Sequence, residues 1–82
     1  MKQTWFRART PAALGSALAE IRQASGMSQT DAAEKLGSSR PTISRMERGQ
    51  ATSTYIVTSL LAATSYEILL VPRGSRVVVE TP

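Results

Sequence analysis

Residues 27–49 read MSQTDAAEKLGSSRPTISRMERG. Ser28 has the character of a helix N-cap, and Asp31, three positions on, completes a capping-box-like pair. Met27 before the cap can pack on Ala32 as a hydrophobic staple. Ala32, Ala33 and Leu36 then fall on one face of a short helix that Gly37 stops. A second short helix follows Ser39. Pro41 sits in its first turn, where no internal hydrogen bond is lost. Ile43 and Met46, three apart, face inward. Arg40, Thr42, Ser44, Arg45 and Arg48 are left outside, and Gly49 closes the helix. Only Gly37-Ser38-Ser39 joins the two helices, and Ala33 is small where they must cross. That combination meets the physical requirements of a helix-turn-helix. Its second helix carries a polar, cationic outer face of the kind that reading a major groove demands.

The flanks extend the helical reading. Thr10 caps a helix that starts at Pro11, with Leu14, Ala17, Leu18, Ile21 and Ala24 as its apolar stripe and Gly26 as its stop. Ser53 caps a fourth helix with Val57, Leu60 and Leu61 on one face, running through Ala63. Tyr55, Ile56, Val57 and Thr58 prefer strands, so packing must override propensity there. After Ala63 the texture changes. Tyr66 to Val71 and Val77 to Glu80 are β-type runs, and Pro72 to Arg76 lies between them with Gly74 as turn residue. This predicts a hairpin, or one strand and a loosely paired tail. A lone two-stranded hairpin is marginal in water, so a second copy of the chain is the expected partner. Leu70-Val71-Pro72-Arg73-Gly74-Ser75 matches a protease site used in expression vectors. The strand pattern continues on both sides of it, which marks it as native. Three parts emerge: a basic arm over 1–10 that interleaves Lys2, Arg7 and Arg9 with Trp5 and Phe6; a helical domain over 11–64; and a β-type segment over 65–82.

Composition narrows the chemistry. At 82 residues the chain is one domain at most, and such a chain buries only about 60% of its unfolded surface. It has no cysteine and no histidine. Thiol nucleophiles, imidazole bases, Cys/His zinc sites and disulfides are therefore excluded. The hydroxyls that remain have no evident base, so the chain is not expected to be an enzyme, and no metal or cofactor is implied. The longest apolar runs are far short of the roughly 18 residues a membrane span needs, and no signal-peptide pattern follows the basic start. A soluble, cytoplasmic protein is expected. Ten Lys and Arg face six acids, for a net charge of +4. The excess sits in the arm and in residues 37–50, which suits a polyanionic partner.

Residues 27–49 resemble the helix-turn-helix of Cro and Xre-type repressors. Ser28-Gln29, Ala33, Gly37, Ile43-Ser44 and the Glu47-x-Gly49 ending carry the likeness, and Ser38 departs from it, since the family usually places an apolar residue there. With the outer helices it covers about residues 11–63. RTPAALGSALAEIRQASG (9–26) and SYEILLVPR (65–73) further resemble HipB-type antitoxins. The resemblance implies a mainly α, four-helix domain followed by a short C-terminal β-strand or hairpin that pairs across a two-fold axis, through Tyr66, Ile68, Leu69, Leu70 and Val71. It implies base contacts from Arg40, Pro41, Ser44 and Arg45, with arginine gripping guanine and Pro41 offering apolar contact only. Phosphate contacts fall to Gln29 at the start of the second helix, to Thr42 and Arg48, and to Gln50 in the following loop. Ser39 is chiefly an N-cap, with a phosphate contact in addition. Arg22 and Glu47 align with a structural ion pair between the first and third helices.

The leading expectation is a homodimeric, sequence-specific repressor on double-stranded DNA. Within it stand two readings: the antitoxin and autorepressor of a HipAB-like module with a HipA-like kinase toxin, and a stand-alone Xre-type regulator. A protein-interaction module without DNA binding is the reading from another class. Asp31 reads as a cap, and Glu34 and Lys35 as solvated charges. Arg7 and Arg9 are either an idle tail or contacts to phosphate or the minor groove.

Overall fold

Four hydroxyl side chains set where the helices begin. In the computed structural model, which describes residues 5–80, α1 spans Pro11–Ala24, α2 Gln29–Lys35, α3 Arg40–Glu47 and α4 Thr54–Ala63. Lys2 and the chain end at 81–82 lie outside the described residues. Thr10 accepts the Ala13 N–H at 3.0 Å, Ser28 that of Asp31 at 3.0 Å, Ser39 that of Thr42 at 3.3 Å and Ser53 that of Ile56 at 3.1 Å. Each satisfies a donor the helix cannot, and losing such a cap costs about 1 kcal/mol. The expected capping box is formed: the Asp31 carboxylate accepts the Ser28 N–H at 2.9 Å.

That backbone hydrogen bond, with the Ser28 hydroxyl second, holds the Asp31 carboxyl below its ordinary value of 3.8. A lowered folded-state value means stabilisation that is present above the unfolded value and lost as pH falls through the folded one. Acidification below 3.8 is therefore expected to lower the thermal midpoint more in the parent chain than in Asp31→Asn. The asparagine keeps an acceptor oxygen and does not titrate.

The core lies between the four helices. Leu18 and Ile21 of α1, Ala32 and Ala33 of α2, Ile43 and Met46 of α3, and Val57, Leu60 and Leu61 of α4 form one buried cluster. Leu60 and Ile43 are fully sealed, and burying such a side chain is worth about 1.5–3 kcal/mol. This is why α4 forms against the strand preference of its first turns. Val57, Leu60 and Leu61 reach the core together only at helical spacing, while Tyr55 stays in solvent. Ala24, expected on the α1 stripe, is exposed at the helix end.

Gly37 and Gly15 are among the glycines that the geometry requires. Gly37 has φ +63° at the turn between α2 and α3, a region where a Cβ is strained. Gly15 lies where α1 meets the end of α3. A Cβ there would come within 2.5 Å of the Glu47 carbonyl oxygen. The missing side chain lets the two backbones come this close.

The expected C-terminal hairpin is corrected. Among the described residues there is no β-strand. The chain does reverse at Pro72–Ser75, where the Ser75 N–H reaches the Pro72 carbonyl at 3.1 Å, but no ladder forms on either side. Leu69, Leu70, Val71, Val78 and Val79 stay exposed. No face of the segment is buried on this chain, so nothing fixes a register. Its start is anchored. Tyr66 packs on the core and meets Phe6 with ring centroids 6.4 Å apart. The described part of the arm is likewise neither strand nor helix. Phe6 pins it, and Arg7 lies over the exposed Trp5 ring at 5.8 Å.

Candidate nucleic-acid interface

The sequence RPTISRME makes α3 two-sided. Ile43 and Met46 lock its inner face. Arg40, Pro41 and Arg45 are exposed on the opposite side, and Ser44 is half-buried beside them. The four expected base-contacting positions are thus brought together on one helix. Eight residues rise about 12 Å, the width of a B-DNA major groove.

The charge balance of this face follows from one burial. Glu47 is the only acid in α3, and its carboxylate is turned inward to Arg22, with Arg22 Nε donating to Glu47 Oε2 at 2.6 Å and Nη2 to Oε1 at 3.1 Å. Both side chains are less than a tenth exposed. The expected ion pair is present and is a two-pronged one, the stronger geometry for arginine and carboxylate. Among the described residues, no carboxylate pairs with Arg40, Arg45 or Arg48. The outer face of α3 is left with uncompensated positive charge.

Short contacts order that face. Ser39 and Thr42 share a hydroxyl–hydroxyl hydrogen bond of 2.9 Å, and Arg45 Nη2 donates to Thr42 Oγ1 at 3.4 Å. Arg45 is thereby drawn back along the helix toward its N-terminus. Arg48 caps the C-terminal end of α3 and is exposed, as is Gln50 after it. Thr42 is half-buried. Ser39 is an N-cap as expected, and its oxygen is already engaged twice.

Gln29 is where the reading from sequence is incomplete. It is the first residue of α2, and its Nε2 donates to Glu47 Oε1 at 3.0 Å. The expected phosphate contact is therefore physically joined to the expected structural pair. No periodicity or motif in a single sequence links positions 29 and 47, because the link depends on how α2 crosses α3. Of the five residues expected in dimerisation, Tyr66 is spent on its own core, while Ile68, Leu69, Leu70 and Val71 are exposed. No described helix is long and apolar enough to cross a membrane.

A family described as "Helix-turn-helix" matches residues 18–68, which takes in all of α2, α3 and α4. Among curated proteins, none matches the chain. Solved structures share the fold. A HipB-O4 20mer complex aligns with a TM-score of 0.73 at 24% identity, over 84% of this chain and 99% of that one. A HipA-HipB-O2-O3 complex aligns with a TM-score of 0.72 at the same identity and coverage.

Proposed function

Because this chain belongs to the helix-turn-helix family that residues 18–68 match, we propose that it is a cytoplasmic, sequence-specific DNA-binding repressor. It acts as a homodimer on a palindromic operator and serves as the antitoxin of a kinase-toxin pair. The observation that carries the reading is the face of α3, where Arg40, Arg45 and Arg48 are exposed, without a carboxylate partner among the described residues, on a helix held from behind by Ile43 and Met46. Arg40 and Arg45 read base edges, with Ser44 and Pro41 in contact beside them. Gln29, Thr42, Arg48 and Gln50 hold phosphates and set the register, with Ser39 adding to them.

One helix of this length reads only a few base pairs, so a second copy is needed for specificity. Ile68 to Val71 offer the means. These residues are apolar, exposed and without a backbone partner. Antiparallel pairing with the same segment of a second chain closes a ladder and covers the side chains. The half-sites then lie about 10 bp, or a multiple of it, apart. The antitoxin role is supported by the shared fold with HipB, which one of the solved structures holds together with HipA.

The test is binding to the region upstream of the chain's own gene, with and without the product of the neighbouring gene. Saturable binding by a dimer, strengthened or altered by a kinase-like neighbour, is expected. Binding unaffected by the neighbour points to a stand-alone regulator, and no binding at low salt rejects the reading. Within the interface, Arg48→Ala is expected to weaken specific and random DNA alike. It also lowers the slope of log affinity against log salt by about 1 for each phosphate that Arg48 neutralises. Titrations at several salt concentrations measure both.

A further inference from the structure

We propose that the buried Arg22–Glu47 pair positions the Gln29 side-chain amide for a DNA phosphate, so that Arg22 and Glu47 are positioning residues for DNA binding as well as a brace between helices. The inference rests on the DNA-binding reading above.

Each of the three nitrogens of the Arg22 guanidinium group donates a hydrogen bond. Nε and Nη2 donate to the two oxygens of Glu47, and Nη1 donates to the Met27 carbonyl at 2.7 Å. Glu47 cannot swing away without breaking both prongs. Its Oε1 then accepts a second hydrogen bond, from Gln29 Nε2 at 3.0 Å. A charged carboxylate admits only the nitrogen end of an amide, so the orientation of the Gln29 side chain is decided before any DNA arrives. One amide N–H is used and the other is left. A phosphate oxygen is an acceptor only, so this second N–H is the group it requires.

Two energies make the arrangement more than a brace. A free glutamine side chain loses much of its rotamer freedom when it is fixed. Here that ordering is completed in the folded protein. Conversely, a buried ion pair is not needed for stability as such, since apolar residues of similar volume often replace one at no loss. What an apolar pair cannot supply is an acceptor for Gln29.

The experiment compares four proteins on two labelled duplexes at low salt, one carrying the chain's own upstream region and one of random sequence. They are the parent, Gln29→Ala, the paired replacement Arg22→Met with Glu47→Leu, and all three changes together. Circular dichroism confirms the folded state at the assay temperature. Gln29→Ala is expected to weaken binding to both duplexes about 10-fold. The paired replacement, though folded, should weaken it about 3- to 10-fold. The triple variant should be no weaker than Gln29→Ala. A brace without a positioning role would leave the folded paired variant binding like the parent, or would make the losses multiply; either result overturns the proposal. Should the paired variant not fold, Glu47→Asp replaces it, because it keeps the charge but draws the carboxylate back by one methylene. It is expected to show the same non-additive loss, with the Gln29 side-chain amide resonances moving toward those of a solvated glutamine. Unmoved resonances overturn the proposal as well. A parent that binds neither duplex rejects the DNA-binding reading and this one with it. A parent that binds, beside a paired variant that binds equally well, rejects this one alone.

Discussion

Arg22→Ala is expected to remove about 3–5 kcal/mol of stability, as much as truncating a fully buried core side chain. The loss arises from what remains. Glu47 sits less than a tenth exposed, and without Arg22 its charge keeps only the neutral amide of Gln29 as a partner. The Met27 carbonyl loses its donor too. Small domains hold only about 5–15 kcal/mol in all, and an 82-residue chain with alanines at two core positions lies at the low end. The thermal midpoint, followed by circular dichroism, should fall by more than about 10 °C. Replacing both partners, Arg22→Met with Glu47→Leu, should restore most of that loss, because no charge is then left buried. A drop of less than about 5 °C for Arg22→Ala would mean that water reaches Glu47 in solution and that the pair is a surface bridge of small worth.

The contrast between this pair and the chain's C-terminal segment explains how much the sequence disclosed. Helix starts were legible because capping is local. Thr10, Ser28, Ser39 and Ser53 each satisfy a donor three residues away, so the signal and its cause lie in one short window. The inward faces of α2, α3 and α4 were legible for the same reason, since Ile43 and Met46 or Leu60 and Leu61 declare themselves by spacing. The candidate contact residues of α3 follow from the remaining positions and from resemblance. The Arg22–Glu47 pair was reached by resemblance alone, because no local rule connects helix ends that are distant in sequence. The tie from Glu47 to Gln29 was out of reach, and so was the close approach at Gly15. Both depend on crossing angles. The C-terminal runs are apolar and β-like in composition, yet composition alone does not make a strand. A strand needs a ladder, and this chain offers Ile68 to Val71 no neighbouring backbone.

Arg45→Ala should abolish most of the preference for the operator while leaving much of the affinity for random DNA. Arg45 is exposed in the last turn of α3 and is held along the helix by Thr42. An arginine in that position grips guanine O6 and N7 with two hydrogen bonds, worth about 1–3 kcal/mol of discrimination. A dimer uses the residue twice on a palindrome. The loss per operator is therefore about 2–6 kcal/mol, or about 30-fold to more than 10,000-fold in specific affinity. Non-specific binding draws on the summed charge of the face, to which Arg40 and Arg48 still contribute, so it should weaken far less. Competition between an operator duplex and random duplex, run at one fixed salt concentration, reads the ratio directly. Selection of preferred sequences by the variant should show one base pair in each half-site relaxed and the others retained. If Arg45 instead served a phosphate, both duplexes would lose the same factor and the preferred sequence would be unchanged. Arg45 would then join Arg48 in setting register, and base reading in each half-site would fall to Arg40 with Ser44 and Pro41 alone. Only one of those three can form a double hydrogen bond, so the preference for the operator over random duplex would be smaller.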